Sequence, residues 1–152
     1  MGVRTIATNR RARFEYEILE TVEAGLVLVG SEVKSLRAGR ADLKDSYAAV
    51  KDGEMWLYAL RISPYEFALD GGHDPERPRK LLLHRGEITR IGAKLAEKGL
   101  TLVPTSLYFK EGKAKVELGL GKGKTRIDKR ETIKRRQADR EMRRAVRHRS
   151  LD

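Results

Sequence analysis

The chain has 152 residues, which suits one domain of about 120 residues with an appended segment. It has no cysteine, which excludes disulfide bridges and thiolate metal sites and is typical of a reducing compartment. Its net charge of +11 indicates a polyanionic partner.

The apolar stretches are short, and the N-terminus does not resemble a targeting signal. The run LVLV at residues 26–29 is far too short to cross a bilayer. The opening residues MGVRTIATNRRAR lack the apolar segment of a secretory signal, and Ile6 stands where a myristoylation pattern needs Ser or Thr. We therefore expect a cytoplasmic protein without a membrane partner.

Strand patterns dominate the first four fifths of the chain. Residues 14–20 have apolar side chains at period two, and residues 24–30 form an apolar run between glycines, which predicts a strand buried on both faces. Tight-turn chemistry predicts two hairpins, one joining 46–50 to 54–60 through Asp52-Gly53 and one joining 105–110 to 113–120 through Glu111-Gly112.

Two segments have helical patterns. Residues 31–39 are predicted as a helix with Ser31 as its N-cap and Gly39 as its stop. Residues 86–99 place Ile88, Ile91 and Leu95 on one helical face and end at Gly99. Residues 63–80 hold three of the four prolines and are predicted as a loop.

About six short strands without β-α-β alternation favour a closed or partly closed barrel. The predicted fold is mainly β, an OB-fold-like antiparallel β-barrel with small flanking helices and a disordered basic C-terminal tail. We place the OB-like barrel domain at residues 1–121 and the basic C-terminal tail at residues 122–152.

The stretch LGLGKGKT, residues 118–125, resembles a phosphate-binding loop but is one residue too short. Counting back from Gly123, the required glycine falls on Leu118, and the surrounding pattern is not the parallel α/β arrangement that carries such loops. We interpret Gly119, Gly121 and Gly123 as a flexible joint where the last strand ends and a linker begins.

The tail holds most of the excess charge. Residues 1–121 carry 20 Lys and Arg against 17 Asp and Glu, whereas residues 122–152 carry 13 against 5. Pairs such as Glu131–Arg135 have favourable helical spacing, but the apolar stripe containing Met142 is thin. The tail is predicted to be disordered in the free protein and helical along an RNA surface, with a merely solubilising charge run as the alternative.

Catalytic and metal-binding motifs are not evident. His73, His84 and His148 are isolated, without metal-ligand spacing, and no Gly-x-Ser-x-Gly elbow is present. His73-Asp74 is interpreted as a turn pair. We expect neither an enzyme nor a bound cofactor or metal.

RNA-contact candidates lie in the body of the chain. Arg10, Arg11 and Arg13 form a second basic cluster beside Asn9, whose amide can donate and accept at a base edge, and Arg79 and Lys80 precede an apolar run. Most of the nine aromatic residues lie at strand positions, where core packing is favoured over base stacking.

These segments together resemble the SsrA-binding protein family (small protein B, SmpB), bacterial partners of transfer-messenger RNA (tmRNA). The matching segments span nearly the whole chain in order: NRRARFEYEI, EAGLVLVGSEVKSLRAGRADLKDSYA, RKLLLHRGEI, SLYFKEGKAKVELGLGKGK and DKRETIKRR. Two positions depart from the family, which often has His where Phe14 stands and a tail aromatic near Ala138.

The resemblance implies an RNA-binding adaptor for trans-translation, the rescue of stalled ribosomes. Such an adaptor binds the tRNA-like domain of tmRNA and delivers it, aminoacylated and with GTP-bound elongation factor Tu, to the ribosome. The positions matching the family's RNA contacts are Asn9, Glu23, Ala24, Gly25 and Leu82, with Lys80 beside them and Arg11 and Arg13 in the basic cluster.

For the tail, the resemblance implies that it probes the empty mRNA channel near the decoding site, against ribosomal RNA. The residues expected to act there are Lys122, Lys124, Asp128, Lys129, Arg130, Lys134 and Arg135. Two alternatives remain open: a structural ribosomal or general RNA-chaperone OB-fold protein, and a nucleotide hydrolase using GKGKT.

Overall fold

The computed structural model describes residues 2–64 and 73–123, together with Gln137 and Arg140. The elements of this part of the chain are, in order, β1 (Val3–Thr8), α1 (Arg10–Glu15), β2 (Tyr16–Leu26), α2 (Gly30–Arg37), β3 (Ala41–Asp42), β4 (Tyr47–Lys51), β5 (Glu54–Tyr58), β6 (Arg61–Ile62), β7 (Arg79–Leu82), α3 (Arg85–Lys98), β8 (Thr101–Lys110) and β9 (Lys113–Gly123).

Six strands close into an antiparallel barrel. The hydrogen-bonded order is β1-β8-β4-β5-β7-β2-β9, and β9 pairs again with β8, which closes the ring and leaves β1 as an extra strand beside β8. β3 and β6 form a separate two-stranded sheet. The predicted mainly β, OB-fold-like barrel is confirmed.

The barrel interior is aliphatic rather than aromatic. The largest fully buried apolar side chains in the described residues are Leu36, Leu43, Met55, Leu57, Leu60, Ile62, Leu81, Ile91, Leu102, Leu107 and Leu118. Tyr108 is the one described aromatic residue that is buried, whereas Tyr47 is 45% exposed and stacks on Tyr58 with ring centroids 5.5 Å apart. The prediction that most aromatics pack in the core is therefore wrong: the strand pleat turns several of them outward.

Both predicted hairpins and the long helix are confirmed. Asp52 and Gly53 have φ of 54° and 76°, and Glu111 and Gly112 have φ of 52° and 78°, which are the values of tight hairpin turns. Helix α3 ends at Gly99 with φ 60°, and its residue Ile91 is buried in the core.

The two strands predicted at 14–20 and 24–30 are one strand, β2. It begins at Tyr16 because residues 10–15 form α1, and it ends at Leu26. Val27 and Val29, predicted as buried, are 41% and 45% exposed. Their apolar run continues past the strand into the turn that precedes α2.

Helix α2 begins one residue earlier than predicted, and Ser31 is not its N-cap. Val29 occupies that position, and its backbone N–H donates to the Glu32 carboxylate at 2.9 Å. The Ser31 hydroxyl instead hydrogen-bonds His73 Nδ1 at 2.9 Å, while His73 Nε2 lies 2.8 Å from the Ile62 carbonyl. Because that carbonyl can only accept, Nε2 carries the proton and His73 ties α2 to β6.

The glycines near residue 120 do not form a joint. Gly119, Gly121 and Gly123 lie within β9, which pairs with β2 as far as Tyr16↔Gly123. A Cβ on Gly121 would lie 2.9 Å from the Tyr16 Cβ, so glycine here permits close packing. Backbone in a sheet cannot wrap a phosphate, which argues against a nucleotide loop at these positions.

The barrel's last strand thus runs two residues beyond the predicted boundary at 121. Of the tail residues, Lys122 lies in β9 and is exposed, and Gln137 and Arg140 are helical and exposed. The prediction that the tail is disordered when free and helical on the ribosome falls on residues outside the described part. A search of the described residues finds no helix long and apolar enough to cross a membrane.

Candidate nucleic-acid interface

Residues far apart in the sequence meet on the outside of the barrel. Gly25 of β2 is the Cα partner of Leu82 of β7 on one side and of Lys115 of β9 on the other. Side chains alternate along each strand, so Glu23, Gly25, Lys80, Leu82 and Lys115 all face outward. We call these five residues the outer strand face.

Glycine lets the two neighbouring strands present their side chains at one place. A Cβ on Gly25 would lie 3.3 Å from the Leu82 Cβ and 3.7 Å from Lys115 Nζ. Leu82 is 55% exposed, an unusual position for a large apolar side chain beside a cation. The face therefore combines an apolar side chain and a positive charge next to the backbone of Gly25. This combination suits a nucleic-acid partner.

Glu23 is held in a fixed orientation at the edge of this face. Its Oε2 accepts from the Tyr108 hydroxyl at 2.5 Å and from Lys110 Nζ at 3.4 Å. The Tyr108 hydrogen bond, together with the charges of Lys110 and Lys115, lowers the pKa of Glu23 despite partial burial. Burial and this same carboxylate raise the pKa of Tyr108, which keeps its hydroxyl a donor. Glu23 is thus an ionised acceptor with a fixed orientation.

Tyr108→Phe is expected to raise the pKa of Glu23, because the largest contribution to its lowering is the tyrosine hydrogen bond. RNA affinity should fall by about tenfold, which corresponds to about 1.5 kcal/mol, the lower end of the contribution of a hydrogen bond to a charged group, because Lys110 still faces the carboxylate. An NMR titration that follows the Glu23 carboxyl carbon measures the change directly.

Tyr58→Phe is the matched control, since that ring stacks on Tyr47 elsewhere on the barrel. It should leave both the Glu23 titration and RNA affinity unchanged. If Glu23 titrates identically in Tyr108→Phe and in the unmodified chain, the hydrogen bond does not hold the carboxylate.

Asn9 has a structural role that the sequence does not reveal. Its Oδ1 accepts from the Ala12 N–H at 3.2 Å and caps α1, while its Nδ2 donates to the Pro104 and Leu43 carbonyls at 3.0 and 3.3 Å. The residue is 9% exposed. The amide thus fixes α1 against β8 and positions the arginines that follow, while the base contact of Asn9 stays a prediction.

The arginines of α1 connect with the outer strand face. Arg13 lies 3.7 Å from the Glu117 carboxylate, and Glu117 is the Cα partner of Glu23. Arg11 pairs with Glu15 one helical turn later, with Nε 2.8 Å from Oε1. Both arginine side chains are more than half exposed, at 54% and 61%, so phosphates can reach them.

Lys80 and Ala24, two further predicted RNA contacts, differ in the direction of their side chains. Lys80 faces outward and pairs with Glu54 at 2.9 Å, with 39% of its side chain exposed. Ala24 is 1% exposed, and its methyl group belongs to the core. Because the Ala24 side chain packs inward, an RNA contact at this residue would be made by its backbone.

A buried ion pair supports the face from beneath. Glu32 of α2 and Arg79 of β7 are both fully buried, with Arg79 Nε 2.6 Å from the carboxylate. Arg79 also donates to the Leu60 carbonyl and, at 3.1 Å, to the Pro75 carbonyl, while Arg77 reaches the same carboxylate at 2.5 Å. This network fixes the start of β7, the strand that carries Lys80 and Leu82.

Burial of Glu32 raises its pKa, but hydrogen bonds from Arg77, the Val29 N–H and Arg79 outweigh this and hold the pKa below its ordinary value. Arg79, a candidate RNA contact from the sequence, is entirely enclosed, so its guanidinium belongs to this structural ion pair and does not reach the surface. Among the described residues there is also no group of three or more His, Cys, Asp or Glu side chains that could hold a metal ion.

Sequence reasoning missed the cations contributed by the last hairpin. Lys110, Lys113 and Lys115 lie around Glu23 and Gly25, although none was singled out from the sequence. The signal was present in KAKVEL, where lysine and glutamate alternate with apolar residues and so identify one outward face. Of the predicted tail residues, Lys124, Asp128, Lys129, Arg130, Lys134 and Arg135 lie outside the described part.

Comparison with known proteins identifies the family. The family model described as SmpB protein matches residues 6–148. The chain is 58% identical over 144 residues to the SsrA-binding protein of Desulforudis audaxviator, covering 95% of this chain and 94% of the relative. It is 57% identical over 148 residues to that of Thermobifida fusca, covering 97% and 92%.

A solved structure agrees with the sequence comparison. It is described as "tmRNA-SmpB: a journey to the center of the bacterial ribosome", and one of its chains matches with a TM-score of 0.67 and 53% identity, over 84% of this chain and 93% of that one. The resemblance seen in the sequence is confirmed over nearly the whole length, and the chain belongs to the SmpB family of SsrA-binding proteins.

Proposed function

We propose that this chain binds the tRNA-like domain of tmRNA and accompanies it to stalled ribosomes, as an adaptor in trans-translation. The observation that carries the proposal is the pairing of Gly25 with Leu82 and Lys115, which brings predicted RNA contacts of β2 and β7 onto one face together with a lysine of β9. The names of the relatives and of the matched complex point to the same RNA and to the ribosome.

The outer strand face supplies recognition, and the arginines of α1 supply charge. Leu82 offers apolar contact, Glu23 offers a fixed acceptor for base N–H groups or 2′-hydroxyls, and Lys115 and Lys80 offer cations. This mixture suits a folded RNA surface better than an extended single strand, which is bound through rows of exposed aromatics. No catalytic step is part of the proposal.

The proposal also covers the steps that follow RNA binding, namely delivery with elongation factor Tu and entry of the tail into the ribosome. Aminoacylated tmRNA brings GTP-bound elongation factor Tu into the complex, so contact with that factor is through the RNA. The basic tail, with Lys122 to Lys124 at its start and Asp128-Lys129-Arg130 beyond, then enters the vacant mRNA channel near the decoding site and pairs with ribosomal RNA phosphates.

Salt-titrated binding distinguishes this function from that of a general RNA chaperone. We expect a preference on the order of a thousandfold for the tRNA-like domain over a hairpin of equal length, near the low end for specific recognition. The preference should persist as salt rises, because the charge-only contribution weakens for both RNAs. Equal affinities for the two RNAs would favour the chaperone.

Two lysine variants locate the binding surface. Lys115→Ala should weaken binding and reduce the salt dependence by about one phosphate contact. Lys94→Ala is the matched control, since Lys94 lies on α3 and pairs with Glu20 at 2.5 Å. If the two variants lose affinity equally, the outer strand face is not the interface.

A further inference from the structure

A groove opens beside the outer strand face, at the end of the barrel where β2, β7 and the β8–β9 turn meet. It has a volume of about 280 Å³, and its walls include Leu28, Val33, Leu82, Phe109 and Ala114. Gly25 also lines it, and a Cβ there would lie 3.3 Å from the Leu82 Cβ. We call this groove the apolar slot.

The mouth of the slot is cationic. Lys113 and Lys115 line it, and Lys115 Nζ would lie 3.7 Å from a Cβ on Gly25. Lys110, 47% exposed, lies on the adjoining strand beside Glu23. The apolar walls are complementary to a flat apolar group, and the ammonium groups at the rim are complementary to negative charge. The slot therefore suits a ligand that carries both.

The slot is also continuous with the predicted RNA contacts, because Gly25 and Leu82 belong to both. RNA bound on the outer strand face therefore runs past the mouth of the slot. Folded RNAs present unpaired loop bases that leave the stack and enter apolar or aromatic pockets, while cations contact the flanking phosphates.

From this arrangement we propose that the apolar slot takes one unstacked nucleobase from a loop of the bound RNA, and that Lys113 and Lys115 bind the phosphates on either side of it. The proposal rests on the proposed function and deepens it, since it names the chemistry of a second contact. A base in the slot would press its faces against Leu82 and Phe109, which the stacked bases of a helix cannot do.

The test places 2-aminopurine, a fluorescent base, at each unpaired loop position of the tRNA-like domain in turn. One position should change its fluorescence when the protein binds. Ala114→Ile fills the slot with a residue that favours strands, and it should abolish that change and weaken binding by about tenfold, as loss of one base contact predicts. Ala114→Val, a smaller addition, should give an intermediate effect.

Ala7→Ile is the matched control, because it makes the same substitution at another strand alanine that is partly buried against the core but does not line the slot. It should leave fluorescence and affinity unchanged. Removing the responsive base from the RNA should weaken binding to the unmodified chain by about tenfold and leave binding to Ala114→Ile unchanged. Circular dichroism and urea titration establish that each variant is folded.

Several results would overturn the proposal. One is tight RNA binding without a fluorescence response at any position, and another is a response that persists in folded Ala114→Ile. Normal RNA affinity in Ala114→Ile combined with lost tagging of stalled chains would mean that the slot takes a protein side chain instead. Failure of the unmodified chain to bind the tRNA-like domain contradicts the proposed function itself, a separate outcome.

Discussion

Arg79→Met is expected to lower the free energy of unfolding by about 3–5 kcal/mol, the usual cost of breaking a buried ion pair from one side. The substitution leaves the Glu32 carboxylate, which is fully buried, with Arg77 as its remaining cationic partner. It also removes the donor to the Leu60 and Pro75 carbonyls. Urea unfolding monitored by circular dichroism measures the change.

Lys80→Met is the control at the neighbouring position, since it breaks an ion pair whose members are 39% and 46% exposed. We expect a loss of less than about 1 kcal/mol there. The double variant Glu32→Gln with Arg79→Met should lose less stability than the two single variants added together, because no unpaired charge remains buried. Strict additivity would contradict a direct coupling between the two residues.

The pH dependence of stability gives a further test of the Glu32–Arg79 ion pair. The pKa of Glu32 is lowered in the folded chain, so its contribution to stability is present above the ordinary glutamate pKa and is lost as pH falls through the folded value. In Arg79→Met the buried Glu32 carboxylate keeps only Arg77 as a cationic partner, so its protonation costs less stability than in the unmodified chain. The stability difference between the two proteins should therefore narrow as pH falls below the ordinary glutamate range.

Deleting the tail from Asp128 onward should abolish tagging of stalled chains while leaving affinity for the tRNA-like domain largely unchanged at physiological salt. The reason is the proposed division of labour, in which the outer strand face and α1 bind tmRNA and the tail acts on the ribosome. Translation in vitro of a message without a stop codon measures tagging, and filter binding measures affinity.

Substitution of Lys129 and Arg130 by alanine should reduce tagging without changing the length of the tail, since two cations for ribosomal phosphates are lost. Gln137→Ala, a neutral change in the same segment, should have no effect. A collapse of tRNA-like affinity in the deleted protein would show that the tail belongs to the RNA-binding surface.

Local chemistry explains which parts of the fold could be predicted. Asp52-Gly53 and Glu111-Gly112 favour tight turns by themselves, and Gly99 ends α3 through its positive φ, so these elements follow from short sequence windows. Helix α1 was missed because six residues carry no helical period. Its signal was Asn9, because asparagine is favoured at the N-cap of a helix.

The sequence predictions that failed depend on contacts between residues that are far apart in the sequence. The role of Gly121 depends on the Tyr16 side chain, 105 residues away in the sequence, which no local pattern reveals. The same holds for the candidate site: resemblance supplied Glu23, Gly25 and Leu82, but their meeting depends on the pairing of β2 with β7. Lys115 and Tyr108 join them through β8 and β9, and their roles became evident once the barrel was closed.

The pairing of β2 with β9 sets the order in which the molecule can mature. Tyr16 pairs with Gly123, so in a nascent chain β2 cannot pair with β9 until most of the polypeptide has been translated. Contacts of such long sequence separation form late and slowly. Lys115 also comes from β9, so the outer strand face is complete only after β9 has paired with β2.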